Sequence, residues 1–110
     1  MVSNFNKFKG PSPASEIEVK NVINYFNSTK IHAAIDFHSY SQLLLRPWQY
    51  SNNQCPDEVG LRDLGAKMEA SIRRNGGQTY RNIRGSQLYV HSGAMVDFVT
   101  IFLNYLIVLW

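Results

Sequence analysis

Between Ser15 and His38 the hydrophobic period changes from that of a helix to that of a strand, with only a few residues between the two. Val19, Val22, Ile23 and Phe26 recur at i, i+3, i+4 and i+7, the spacing of one apolar helix face. Ser15-Glu16-Ile17-Glu18 matches a capping box, with Ser15 as N-cap and Glu18 at N3, and the helix is expected to end near Ser28. Ile31, Ala33, Ile35 and Phe37 then alternate with His32, Ala34, Asp36 and His38. That is strand periodicity, and the small and apolar content of both faces points to an inner position in a sheet. A helix leading straight into a strand is the building unit of an α/β fold, so α/β is the expected class.

The rest of the 110 residues fits one small domain. Leu43-Leu44-Leu45 is a second short apolar run, stopped by Pro47. A second helix is expected from about Pro56 to Asn75. Proline suits its first turn, Asp57 and Glu58 suit the positive end of the dipole, and Arg73 and Arg74 suit the other end. Leu61, Leu64, Met68 and Ile72 form its apolar stripe, and Gly76-Gly77 supplies the stop. Thr79 to Tyr89 reads as an irregular loop, and Ser92 to Phe98 as a tight turn entering a short helix.

Charge narrows the possible partners. Charged residues make up 17% of the chain, and the net charge is only +3. Tyr80, Arg81, Arg84 and Tyr89 interleave aromatic and basic groups, as single-strand binders do, but no nucleic-acid motif surrounds them. No nucleic-acid partner is therefore expected. The apolar stretch from Phe98 to Trp110 is too short for a membrane span, which needs about 20 residues, and Asn104 interrupts it. Cys55 is the single cysteine and has no partner within the chain for a disulfide. Met1 to Lys9 is polar and lacks the apolar core of a secretion signal.

His38 is the residue best placed for chemistry. It closes a strand, and ligand-binding groups collect beyond the carboxyl ends of strands in open α/β sheets. A neutral imidazole there suits zinc. On position alone, a hydrogen-bonded core histidine is the competing reading. The string Ile35-Asp36-Phe37-His38-Ser39-Tyr40-Ser41-Gln42-Leu43-Leu44-Leu45, followed by Pro47-Trp48 and Tyr50, resembles the zinc-histidine segment of the carboxypeptidase A/B family. Gly10 to Val19 resembles that family's lead-in and helix. Leu88-Tyr89 and Ser92 to Phe98 resemble its tyrosine-bearing loop and specificity-pocket turn. The resemblance covers residues 10–98, leaving 1–9 and an apolar tail, 99–110, outside it.

The resemblance implies part of a mixed β-sheet flanked by helices, from a secreted metallocarboxypeptidase that hydrolyses the C-terminal peptide bonds of peptides and proteins. It implies that His38 is one zinc ligand and that Ser39 and Tyr40 line the substrate cleft. Tyr89 would close over the terminal carboxylate, and Val96 would lie at the base of the pocket for the terminal side chain. An apolar residue at that base implies the A-type preference for aromatic or aliphatic ends.

The family's other two zinc ligands come from a His-x-x-Glu pair, and none of His32, His38 or His91 has Glu at the third following position. The family's general-base glutamate lies on a strand beyond the segment matching Asp97, and no acidic residue follows Asp97 here. The spacing of His32, His38 and His91 does not support a replacement zinc set. The chain is therefore expected to be catalytically silent by itself, with a peptide-binding remnant or decayed paralogue as the alternative. The tail is expected to be either read-through from a splice boundary or truncated gene, or a genuine terminal strand.

Overall fold

Leu43–Arg46 forms a strand in which every residue is buried, and Leu44 and Leu45 are among the most deeply enclosed side chains described. The rest of the sheet is arranged around this strand. The computed structural model describes residues 10–103 and 106–109, so the expected segment 1–9 lies outside the described residues. The chain divides into two compact units, Met1–Ile31 and His32–Trp110.

The first unit holds α1, Ile17–Ser28. The helix is where its periodicity puts it, but its start differs from the capping-box expectation. Glu16 is the N-cap and makes no side-chain cap bond, while the Ser15 hydroxyl donates to Glu16 Oε1 at 3.0 Å. A hydroxyl engaged by the neighbouring carboxylate does not serve the helix amide it was expected to cap. No residue of α1 is buried; Val19 and Val22 are exposed, and Ile23 and Phe26 are half-buried.

The second unit contains, among the described residues, a four-stranded sheet and two α-helices. Its strands are β1 (Ala34–Phe37), β2 (Leu43–Arg46), β3 (Arg81–Arg84) and β4 (Leu106–Leu109), and its helices are α2 (Glu58–Arg74) and α3 (Met95–Leu103). The spatial order is β1-β4-β2-β3. β1 runs parallel to β4 and β2 parallel to β3, while β2 and β4 are antiparallel. The sheet is thus mixed and the class is α/β. α2 packs against β2 and β3, and α3 against β4 and β1.

Three local expectations are corrected. β1 is an edge strand among the described residues, not an inner one. Its Ile35 and Phe37 are exposed, Phe37 at 75%, because one side of β1 pairs with β4 and no described strand lies on the other. Within the expected irregular loop, Arg81–Arg84 pairs with β2 and Gly85–Gln87 turns as a short 3-10 helix. On α2 the buried pair is Leu61 and Gly65, and Leu64 is exposed. Gly65 faces β3 so closely that an added Cβ would lie 2.6 Å from the Asn82 side chain, so only glycine allows this approach without a shift.

Polar groups lock β2, β3 and α2 together. The Arg46 guanidinium pairs with Glu58 and donates from Nε to Asn82 Oδ1 at 3.2 Å. Asn82 Nδ2 donates to the Arg62 carbonyl at 2.8 Å. The tail expected to be read-through or a strand contributes β4, set between β1 and β2. No described helix is long and apolar enough to cross a membrane.

Candidate functional site

The segment from His38 to Gln42 joins the carboxyl end of β1 to the start of β2. Both ends are fixed by backbone pairing: Phe37 is in register with Leu109, and the Arg81 amide donates to the Gln42 carbonyl at 3.0 Å. Gln42 takes a left-handed φ of 54°, which turns the chain into β2. The Ser39–Tyr40 peptide bond is cis. The Ser41 hydroxyl donates to the Tyr40 carbonyl. An open cleft of about 340 Å³ is lined by His38, Ser39, Tyr40, Ser41, Gln42 and Tyr80.

His38 and Asp36 are two apart on a period-2 strand and so share a face. Asp36 Oδ2 lies 3.0 Å from His38 Nε2. A carboxylate on one ring nitrogen fixes the imidazole tautomer and orientation, which is how ligand histidines are held in metal sites. The pair is solvent-accessible, with side-chain exposures of 40% and 28%.

The sequence-derived residues fall into two places. His38, Ser39 and Tyr40 share the cleft, with Tyr40 89% exposed. Tyr89 and Val96 do not line it. Tyr89 is partly exposed and stacks on His91 with ring centroids 4.8 Å apart. Its carbonyl accepts Gln49 Nε2 at 2.6 Å, and the same amide nitrogen donates to the Gly85 carbonyl at 2.9 Å. Val96 is buried in the first turn of α3.

Asp97 anchors that helix start. Its Oδ1 accepts the Gln49 amide at 2.8 Å and its Oδ2 accepts the Tyr50 amide at 3.0 Å. Burial pushes the Asp97 carboxyl above the usual aspartate range, with the two amides and His91 pulling the other way. Burial likewise pushes the Cys55 thiol up, reinforced by the nearby Glu58 and Asp57 carboxylates. The Asp57 backbone and Arg46 act against that rise.

Sequence reasoning missed Tyr80 as a cleft residue because it fell within the expected loop. The signal available was the parallel partner that buried β2 needs on its second edge.

A catalytic zinc site takes three protein ligands and one open position. Among the described residues, no group of three or more His, Cys, Asp or Glu side chains gathers in a way that could hold a metal. The donor set fits one ligand position, His38 backed by Asp36, and does not fit a whole zinc site.

The comparisons give this geometry its context. The family described as zinc carboxypeptidase matches residues 2–107, a span that extends beyond both ends of 10–98. Mouse carboxypeptidase A2 is 35% identical over 94 residues, which cover 84% of this chain and 22% of that protein. Mouse mast cell carboxypeptidase A is 38% identical over 98 residues, covering 86% of this chain and 23% of that protein. The crystal structure of thrombin activatable fibrinolysis inhibitor superimposes with a TM-score of 0.81 at 31% identity, over 91% of this chain and 26% of that one. The chain therefore spans between a fifth and a quarter of the length of these curated relatives.

Proposed function

Because this chain belongs to the zinc carboxypeptidase family, we propose that it carries the substrate-contacting part of a carboxypeptidase site and does not hydrolyse peptides by itself. The observation that carries this reading is His38, held by Asp36 at the carboxyl end of β1 and opening into a cleft walled by Ser39 and Tyr40. His38 is the residue that would ligate zinc. Zinc in a complete site of this kind polarises a scissile carbonyl and acidifies a bound water.

The chain's own residues have narrower tasks. Ser39, Ser41 and Gln42 offer hydroxyl and amide groups to a peptide backbone, and Tyr40 offers a ring face. Tyr89 closes over the terminal carboxylate, and Val96 sets an apolar preference for the terminal side chain, as in the A-type relatives. β4 supports the silent state. It is the strand beyond Asp97, it brings Leu109 into register with Phe37 beside His38, and it reads Leu-Ile-Val-Leu. A strand without a carboxylate supplies no general base. Export from the cell is part of the same proposal, by analogy with the family.

The test uses the purified 110-residue chain. Bound zinc is measured after dialysis, and hydrolysis is followed on blocked dipeptides ending in Phe or in Arg. The expected result is less than one zinc per chain, no turnover, and amide shifts at Ser39, Tyr40 and Tyr89 that are stronger with the Phe peptide. One zinc per chain with peptide hydrolysis would overturn the silent state. Absence of peptide-induced shifts would overturn the site, and a preference for Arg would overturn the pocket assignment.

A further inference from the structure

We infer that Tyr80 is a specificity-determining residue of the same cleft, contacting an apolar or aromatic side chain upstream of the peptide's C-terminal residue. The inference rests on the peptide-site reading above. Tyr80 comes from the residue just before β3, thirty-eight positions from Gln42, yet it lines the cleft with His38 to Gln42. Its place is set by backbone pairing. The next residue, Arg81, donates its amide to the Gln42 carbonyl at 3.0 Å and is in register with Leu43. β3 pairs along its length with β2, which is wholly buried, so the backbone that carries Tyr80 is held against a packed strand.

The lining also selects the occupant. Four of the six lining residues are polar and uncharged or imidazole-bearing: His38, Ser39, Ser41 and Gln42. The other two, Tyr40 and Tyr80, are aromatic, and none is Asp, Glu, Lys or Arg. Such a lining, with two aromatic rings and with the nearby Asp36 carboxylate engaged by His38, suits a peptide backbone and an apolar or aromatic side chain. Tyr89 and Val96, assigned to the C-terminal residue, lie outside this lining. The part of the peptide that meets Tyr80 is therefore the part before that residue.

The probes are two blocked tetrapeptides ending in Phe, one with Phe and one with Ala at the residue before the last. Affinities are read from amide shifts of residues 38–42 in the wild-type chain, Tyr80→Ala and Tyr80→Phe, with circular dichroism confirming the fold. The wild type should favour the Phe peptide by about three- to tenfold, the range of one aromatic pair. Tyr80→Ala should reduce that preference to about one while still binding, and Tyr80→Phe should keep it. An unchanged preference in Tyr80→Ala, with the 38–42 amides still shifting, overturns the role of Tyr80 alone. A wild type in which neither peptide shifts those amides overturns the peptide site and this inference together.

Discussion

Replacing Asp97 with alanine tests how the segment just after Pro47–Trp48 is tied to α3. The carboxylate takes the amides of two consecutive residues, Gln49 at 2.8 Å and Tyr50 at 3.0 Å. Gln49 is buried, so at least its amide finds no water in exchange. A buried donor left without a partner costs about 1–3 kcal/mol, and the amide of half-exposed Tyr50 adds less than that. Relief from burying a carboxylate, whose pKa is raised by that burial, works against this loss. The expected net is about 1–3 kcal/mol, or a fall of roughly 0.5–2 M in the urea midpoint for a domain of this size. Asp97→Asn keeps one acceptor and should lose about half as much.

The pH dependence has a definite sign. The folded-state pKa of Asp97 lies above its unfolded value, so the folded chain holds this proton more tightly. This group's contribution is therefore most favourable at low pH and declines as pH rises from the usual aspartate value through the raised one. Wild type should gain on Asp97→Asn as pH falls through that window. Urea melts at several pH values, with hydrogen exchange at Gln49 and Tyr50, read the result. A change below about 0.5 kcal/mol in Asp97→Ala, or exchange at those amides as slow as in wild type, would refute the reasoning.

Two further changes probe the buried groups around α2. Arg46→Met leaves Glu58 in a site where its side chain is only 12% exposed, and should cost about 3–5 kcal/mol in a urea melt. Adding Glu58→Leu should recover most of that loss, because the uncompensated charge is then gone. Cys55 is buried with its thiol pKa raised, chiefly by burial, so little thiolate forms near neutrality. It should react with a disulfide reagent at least tenfold more slowly in the native chain than in urea, as followed by absorbance.

The elements legible in the sequence were those with strong local punctuation. α2 begins after Pro56 and Asp57 and ends at Arg74, before Gly76 at φ 79°. α3 follows Gly93, whose φ of 84° turns the chain. β3 was not legible, because Arg-Asn-Ile-Arg has one apolar residue and no alternation. It is held by β2 and by the bonds of Asn82, which a local pattern does not contain. The exposed Leu64 and buried Gly65 show the same limit: a small residue can face the sheet when close approach, not side-chain volume, fills the contact. Within the site, Asp36 and His38 were already on one face by period 2, whereas Tyr80 depended on a pairing thirty-eight residues distant from Gln42.

The two walls of the cleft do not have equal support. Gln42 and Tyr80 stand at the start of β2 and β3, beside four consecutive buried residues and the Arg46–Glu58–Asn82 network. His38 stands at the end of β1, which pairs only with β4 among the described residues and leaves Ile35 and Phe37 exposed. Full burial of such side chains contributes about 1.5–3 kcal/mol each, and β1 lacks most of that. A metal ligand must be held to within about 0.5 Å, and rigid packed elements do this best. The side of the cleft built on β2 and β3 has that packing, whereas the His38 side, on β1, has it from β4 alone among the described residues. On the function proposed above, peptide recognition would rest on the side of the cleft next to the buried strand, and ligation on the exposed one.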